Sequence, residues 1–80
     1  MNVSNRKKLI KIFIHNLRLK KKFDENLKIY SIKNWDSLSN FNILLDIEKE
    51  FKIRFNTKEF SELNNFKQIL QNVKKKITHK

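Results

Sequence analysis

The stretch that decides the fold is residues 35–55, WDSLSNFNILLDIEKEFKIRF. On a helical wheel at about 100° per residue, its apolar side chains fall on one broad arc and its polar side chains on the opposite one. The apolar arc consists of Leu38, Phe41, Leu44, Leu45, Ile47 and Phe51. The polar arc consists of Ser39, Asn42, Asp46, Lys49 and Glu50. This pattern predicts a helix over 37–51, in which Glu48 has to reach the rim of the apolar arc or pair with a lysine.

The segment before this helix divides into a helix and a loop. Apolar side chains at helical spacing predict an amphipathic helix over 5–19. Residues 20–36 lose that period, although apolar side chains continue through them. We therefore expect a long ordered loop, pinned to the core by those side chains. A loop of this length in a small domain is uncommon and often functional.

Two shorter helical segments follow, each opened by a polar pair with the spacing of a capping box. They predict a short helix over 57–63 and a last helix over 66–76. The capping pairs are Asn56 with Glu59 and Asn65 with Gln68. Four helices, the third of them short, fit one small domain over 1–80.

The composition excludes several classes of protein. The 80 residues include no Cys, no Gly and no Pro. Without cysteine there are no disulfides, thiolate metal sites or cysteine nucleophiles. Without glycine there is no glycine-rich phosphate loop, and tight β-hairpins are disfavoured. No targeting segment and no run of about 18 apolar residues is present, so we expect a cytoplasmic protein without a membrane span.

The chain is strongly basic, with 19 Lys and Arg against 8 Asp and Glu and a net charge of +11. The basic residues include 16 Lys, alongside 11 Asn and 10 Ile, a skew typical of an AT-rich genome. Residues 1–33 carry 10 basic and 2 acidic side chains, residues 34–56 carry 3 and 4, and residues 57–80 carry 6 and 2. The middle third alone escapes the excess of lysine.

Residues suited to catalysis or metal binding are few. His15 lies on the predicted first helix and His79 in the C-terminal tail, and neither has a second ligand at metal-binding spacing. Asp46 and Glu50 lie one helical turn apart and could share a cation, but a solvated helix face is the commoner arrangement. Because no nucleophile and base can be paired, we expect neither an enzyme nor a metal site.

Ser37 is the most informative polar residue, because it opens the strongest predicted helix. Asp and Ser directly before an apolar periodic run are ordinary helix-capping residues. Here a long loop precedes them, and Phe51, 14 residues after Ser37, closes a Glu-rich stretch. An Ile-x-Phe exit at 53–55 and two further helical segments follow.

This combination resembles the acyl carrier proteins over roughly residues 5–76, and most clearly over 35–70. In that family an Asp-Ser-Leu motif, here Asp36, Ser37 and Leu38, opens the second helix, and a Glu-rich stretch ending in Phe closes it. The resemblance implies an all-α fold, an antiparallel four-helix bundle with a short third helix and a long first loop.

The resemblance also implies a function. Ser37 is expected to carry 4′-phosphopantetheine, attached by a phosphopantetheinyl transferase, with Asp36 and Leu38 beside it. The thiol of that arm carries an acyl group as a thioester, loaded by a ligase or synthase and passed to acyltransferases. Fatty-acid, polyketide, lipid or sugar-modifying, and amino-acyl carriers share this motif, so the cargo stays open. A monomer is expected.

The sequence departs from the family pattern at several positions. Asn34 stands where the family usually has Gly, and Asn is the next best residue for a left-handed backbone. Neutral Ser39 and Asn42 stand where the second helix often carries acids. The remaining carboxylates of that helix are expected to steer association with partner enzymes. The expected docking residues are Asp46, Glu48 and Glu50, with Ile43 as the apolar contact beside them.

The main alternative is a small basic helical nucleic-acid-binding protein. Lysines bind phosphates without any motif. Against this, the chain has only 3 Arg, the residue that reads bases best, and its aromatic residues fall on apolar arcs. We therefore expect no specific nucleic acid partner. A structural or partner-binding module without a prosthetic group is the remaining alternative.

Overall fold

A computed structural model describes residues 3–20 and 23–78. Those residues form four helices, α1 (Val3–Leu17), α2 (Ser37–Phe51), α3 (Thr57–Glu62) and α4 (Phe66–Thr78). The predicted all-α class, with a short third helix and a long first loop, is confirmed. Helix α2 has its predicted bounds. Helix α1 begins and ends two residues earlier than predicted, α3 ends one residue earlier, and α4 extends two residues further.

Helices α1 and α2 lie side by side in opposite directions. His15, near the end of α1, lines a cavity together with Ser39 at the start of α2. Lys8, in the first half of α1, lines another cavity with Glu50 at the end of α2. The two helices are therefore antiparallel.

One buried cluster joins three helices and the loop before α2. Trp35, from that loop, is fully buried and packs edge-to-face on Phe13, with 5.4 Å between ring centroids. Phe13 packs in the same way on Phe66 at 5.1 Å. Such pairs stabilise by about 1 kcal/mol beyond their buried area. The buried helical residues are Leu9, Phe13 and Leu17 in α1, Ile43, Leu44 and Ile47 in α2, and Phe66, Ile69 and Val73 in α4.

The face that α2 turns to the core differs from the predicted arc. Leu38, Phe41 and Leu45 were expected to face the core, yet they are 69%, 48% and 40% exposed. Ile43, outside the predicted arc, is fully buried. The apolar residues of this helix spread over more of its circumference than the thin core of a chain this small can cover. The wheel weighs them equally and cannot tell which part of the spread is covered.

Helices α1 and α2 end without glycine. Each is followed by a basic residue in the left-handed conformation, Arg18 with φ 53° and Lys52 with φ 55°. The next backbone N–H then donates to a carbonyl five residues back, which satisfies one of the last acceptors of the helix. These bonds are Leu19 to Ile14 at 3.1 Å and Ile53 to Glu48 at 3.2 Å.

The loop between α1 and α2 is held by hydrogen bonds to other parts of the chain. Lys28 forms a single antiparallel bridge with Asn65, just before α4. Asn34 does not take the left-handed conformation that sequence suggested. Its side-chain amide instead donates to the Leu17 carbonyl at 3.0 Å, and Tyr30 has the positive φ, 66°. The loop is thereby tied to both ends of the helical frame.

The capping signals of α3 and α4 differ in outcome. At α3 the predicted capping box is confirmed, because Asn56 Oδ1 accepts from the Glu59 N–H at 2.8 Å and Glu59 Oε1 accepts from the Asn56 N–H at 2.9 Å. At α4, Asn65 Oδ1 accepts from the Gln68 N–H at 2.8 Å. The return bond to Gln68 comes from the Asn64 N–H at 3.4 Å, so only one side of the second box forms as predicted.

Candidate functional site

Ser37 is the first residue of α2, and its side chain is exposed. Asp36 is the N-cap, and its Oδ1 accepts from the Ser39 N–H at 2.9 Å. Because Asp36 supplies the cap, the hydroxyl of Ser37 is not used to close the helix. The Ser39 backbone N–H, helped by the Ser39 side chain, holds the pKa of Asp36 below its ordinary value, so Asp36 is ionised at neutral pH.

Tyr30 contacts Ser37 directly. Its hydroxyl lies 2.5 Å from Ser37 Oγ, and either atom can donate that hydrogen bond. The Tyr30 N–H donates to the Trp35 carbonyl at 2.6 Å, which folds the loop back toward α2. Sequence reasoning missed this residue, because nothing in a lone aromatic residue of a non-periodic loop indicates a partner seven positions away.

A buried hydrogen-bond chain fixes the start of α2 from below. Trp35 Nε1 donates to Asn40 Oδ1 at 3.0 Å, and Asn40 Nδ2 donates to the Leu63 carbonyl at 2.8 Å. Asn40 is only 5% exposed. Buried polar groups are stable only when paired in this way. The chain joins the loop before α2, the first turn of α2 and the residue that follows α3, so the backbone under Ser37 is held from three sides.

Two cavities flank the first turn of α2. The larger, about 600 Å³, is polar, and Arg18 and Lys33 line it together with Asp36. The smaller, about 360 Å³, lies on the Ser37 side and is lined by Ser37, Tyr30 and Phe60, among others. Both are open clefts. Ser37 therefore stands at the lip of a mixed apolar and polar cleft, with two basic side chains in the adjoining one.

The expected docking residues do not form one surface. Ile43 is fully buried in the core, so the prediction that it forms an apolar surface contact is wrong. Asp46 accepts from Asn16 Nδ2 of α1 at 2.9 Å, and Glu48 accepts from the Phe55 N–H at 2.8 Å. Glu50 is exposed and lines the cavity between α1 and α2. Only Glu50 among the three carboxylates has no internal bond assigned to its side chain.

Other chemistry-bearing groups are sparse in the part of the chain that the structure describes. His15 lines the polar cavity beside α2, and His79 lies outside the described residues. Over residues 3–20 and 23–78, no three His, Asp or Glu side chains come together in a way that could hold a metal ion. None of the helices in those ranges is long and apolar enough to cross a membrane.

Comparison with known proteins gives one informative match. Over 45 residues, 56% of the chain, the sequence is 39% identical to a protein of Mycoplasma pneumoniae (strain ATCC 29342 / M129) named acyl carrier protein homolog. The match covers 54% of that protein, so the chain spans about half the length of the curated relative it matches. No family model and no solved structure matches the chain. The similarity supports an acyl-carrier-like family, as the Asp-Ser-Leu motif indicated.

Proposed function

We propose that this chain is an acyl carrier protein that bears 4′-phosphopantetheine on Ser37. The observation that carries the proposal is the exposed hydroxyl of Ser37 on the first residue of α2, within the Asp-Ser-Leu motif. The similarity to the acyl carrier protein homolog supports the same class. When attached, the arm supplies a thiol that holds an acyl group as a thioester, which a chain without cysteine does not itself possess.

The surroundings of Ser37 fit a phosphodiester. The first backbone N–H groups of a helix have no acceptor inside the helix, and the N-terminal end of the dipole attracts an anion. Asp36 places a carboxylate nearby, but that carboxylate is aimed at the Ser39 N–H. Arg18 and Lys33, in the adjoining cavity, add positive charge at the same end of α2.

The contact with Tyr30 bears on how Ser37 reacts. An unmodified Ser37 can donate to or accept from the Tyr30 hydroxyl. Once its oxygen is esterified, Ser37 has no hydrogen left and can only accept. Tyr30 is thus positioned to hold the hydroxyl before modification and to donate to the ester oxygen afterwards. Leu38, 69% exposed, gives the first apolar contact beside the modified serine.

The partners follow from this role. A phosphopantetheinyl transferase attaches the arm, a ligase or synthase loads it, and acyltransferases take the cargo. We propose that the carrier acts as a cytoplasmic monomer and is not itself an enzyme. Asp46, Glu48 and Glu50 stay predicted contributors to partner steering, with Glu50 the best placed because it is exposed.

The proposal is tested by incubating the chain with a promiscuous phosphopantetheinyl transferase and coenzyme A. Intact mass is expected to rise by one phosphopantetheine arm. Ser37→Ala abolishes the increase, while Ser39→Ala, two residues along the same helix, retains it because its backbone N–H still reaches Asp36. If Ser37→Ala is still modified, or if no transferase modifies the parent chain, Ser37 is not an attachment site.

A further inference from the structure

Helix α2 exposes a row of large apolar side chains that starts beside Ser37. Leu38, Phe41 and Leu45 are 69%, 48% and 40% exposed. Their spacing of three and four residues places them on one side of the helix, over about 10 Å of its length. Single exposed apolar residues need no explanation, but a contiguous row indicates an interaction site.

A second helix extends this apolar row. The ring of Phe60, in α3, lies 5.1 Å from the ring of Phe41. Phe60 also packs edge-to-face against Phe55 at 6.0 Å and is partly buried on the core. The row is therefore backed by packed aromatic rings, so a partner meets a firm surface at its centre. Firmly held aromatic residues at the centre of a contact dominate its affinity.

The far end of the row is basic. Lys49 follows Leu45 by one helical turn, and Arg54 lies with both in a cleft of about 670 Å³. Lys49 and Arg54 are exposed. The cleft also contains Asp46 and Glu48, but each of these carboxylates accepts an internal hydrogen bond. Lys52 adds a third basic side chain to the same cleft.

We infer that this α2 surface, defined as Leu38, Phe41 and Leu45 with Lys49, Lys52 and Arg54, docks partner enzymes that present an apolar groove with acidic side chains at one end. The inference rests on the proposed function, because it takes the partner to be an enzyme acting on the group at Ser37. Such an enzyme must cover the surface beside that residue. The net charge of +11 attracts an acidic partner over longer distances as well.

The probe is the phosphopantetheinyl transferase of the organism that encodes this chain, with coenzyme A as donor. We measure kcat/KM for modification at low ionic strength. Lys49→Glu with Arg54→Glu changes the basic end, and Lys7→Glu with Lys11→Glu, at exposed positions of α1, makes the same change in net charge elsewhere. The first pair is expected to lower kcat/KM by about tenfold or more and the second by less than about twofold, since charges act most strongly where they face the partner.

A second arm tests the apolar row. Phe41→Ser is expected to raise KM at any salt concentration, whereas the effect of the Lys49 and Arg54 pair shrinks as salt is added. Far-ultraviolet circular dichroism and thermal unfolding confirm that each variant is folded. Equal losses for both lysine-bearing pairs overturn the inference, because overall charge then suffices. Faster modification of the Lys49 and Arg54 pair overturns it too, since the partner is then basic.

Two further outcomes separate competing explanations. If Glu50→Lys slows modification and the basic-end variant does not, docking uses the carboxylates and the inference is wrong. If the parent binds phosphatidylglycerol vesicles, the basic-end variant does not, and their modification rates are equal, the surface binds lipid and the inference is wrong. A parent chain that is never modified overturns the proposed function together with the inference. A modified parent with unaffected variants overturns the inference alone.

Discussion

Asn40 shows how much a single buried residue contributes to the geometry under Ser37. It lies on the core side of α2, where the pattern of the sequence gives no reason to bury an amide. It is buried because Trp35 Nε1 and the Leu63 carbonyl come from distant parts of the chain to meet it. Partners of this kind depend on the tertiary fold, so sequence reasoning placed Trp35 near the core but did not identify its acceptor.

Replacing Asn40 with Ala is expected to destabilise the chain by about 2–3 kcal/mol, because it leaves a buried N–H and a buried carbonyl without partners. Asn42→Ala, at an exposed position of the same helix, is expected to change the free energy of unfolding by less than about 0.5 kcal/mol. Urea unfolding of both variants measures the difference. Equal destabilisation would show that the buried amide contributes no more than a surface one.

Glu59 gives a prediction about pH. Partial burial alone raises its pKa, but the Asn56 N–H, the Asn72 amide and the Lys76 ammonium outweigh that effect and hold the pKa below the ordinary value of 4.5. The unfolded state therefore binds a proton more readily than the folded state in acid. The stabilisation by Glu59 is complete above its unfolded pKa and is lost as pH falls through the folded one.

The measurement is the free energy of unfolding as a function of pH for the parent chain and Glu59→Gln. Glutamine keeps an oxygen for the Asn56 N–H but loses the charge beside Lys76, 3.1 Å away. The parent is expected to lose stability more steeply than the variant between about pH 5 and pH 3. Parallel curves would mean that Glu59 titrates alike in both states.

At the scale of the elements, the ends of the helices follow from sequence better than their faces do. Helix α2 begins where predicted because Asp36 supplies a local cap, and α3 begins where predicted because Asn56 and Glu59 form a local box. Which side of α2 is buried depends on where the rest of the chain packs. That is why Ile43 was assigned to the surface and Leu38 to the core.

The glycine-free end of α2 is predicted to carry a conformational cost. A residue with a side chain costs roughly 1 kcal/mol in the left-handed region, where Lys52 lies with φ 55°. Lys52→Gly is therefore expected to stabilise the chain by up to about 1 kcal/mol. Lys49→Gly, inside the same helix, is expected to destabilise it by about 1 kcal/mol. Chemical unfolding of the two variants gives the comparison, and shifts of the same sign would contradict this account of the helix end.

At the scale of the whole molecule, the helix order and the long first loop could be predicted from sequence because they depend on local periodicity. The pairing of the loop could not. The bridge between Lys28 and Asn65, and the contact between Tyr30 and Ser37, join residues without any local pattern. The candidate attachment site was thus located by its motif, while its neighbours became visible only in the fold.

The net charge of +11 leads to a prediction about nucleic acid. Any binding is expected to be electrostatic, equal for unrelated DNA sequences, and weaker by at least about tenfold between 50 and 200 mM salt, because lysine contacts release counterions from the phosphates. Fluorescence anisotropy with two labelled duplexes of different sequence measures this. A preference for one sequence that persists at physiological salt would favour the nucleic-acid-binding alternative.

The central claim is that Ser37 carries a phosphopantetheine arm in the cell. The most direct measurement is mass spectrometry of the chain purified from the organism that encodes it, with fragmentation to locate any modification. The account predicts a phosphopantetheine group, with or without an acyl cargo, on the peptide that contains Ser37 and on no other residue. A chain that is unmodified at Ser37 when the organism's other carriers are modified, or that bears the arm elsewhere, would contradict it.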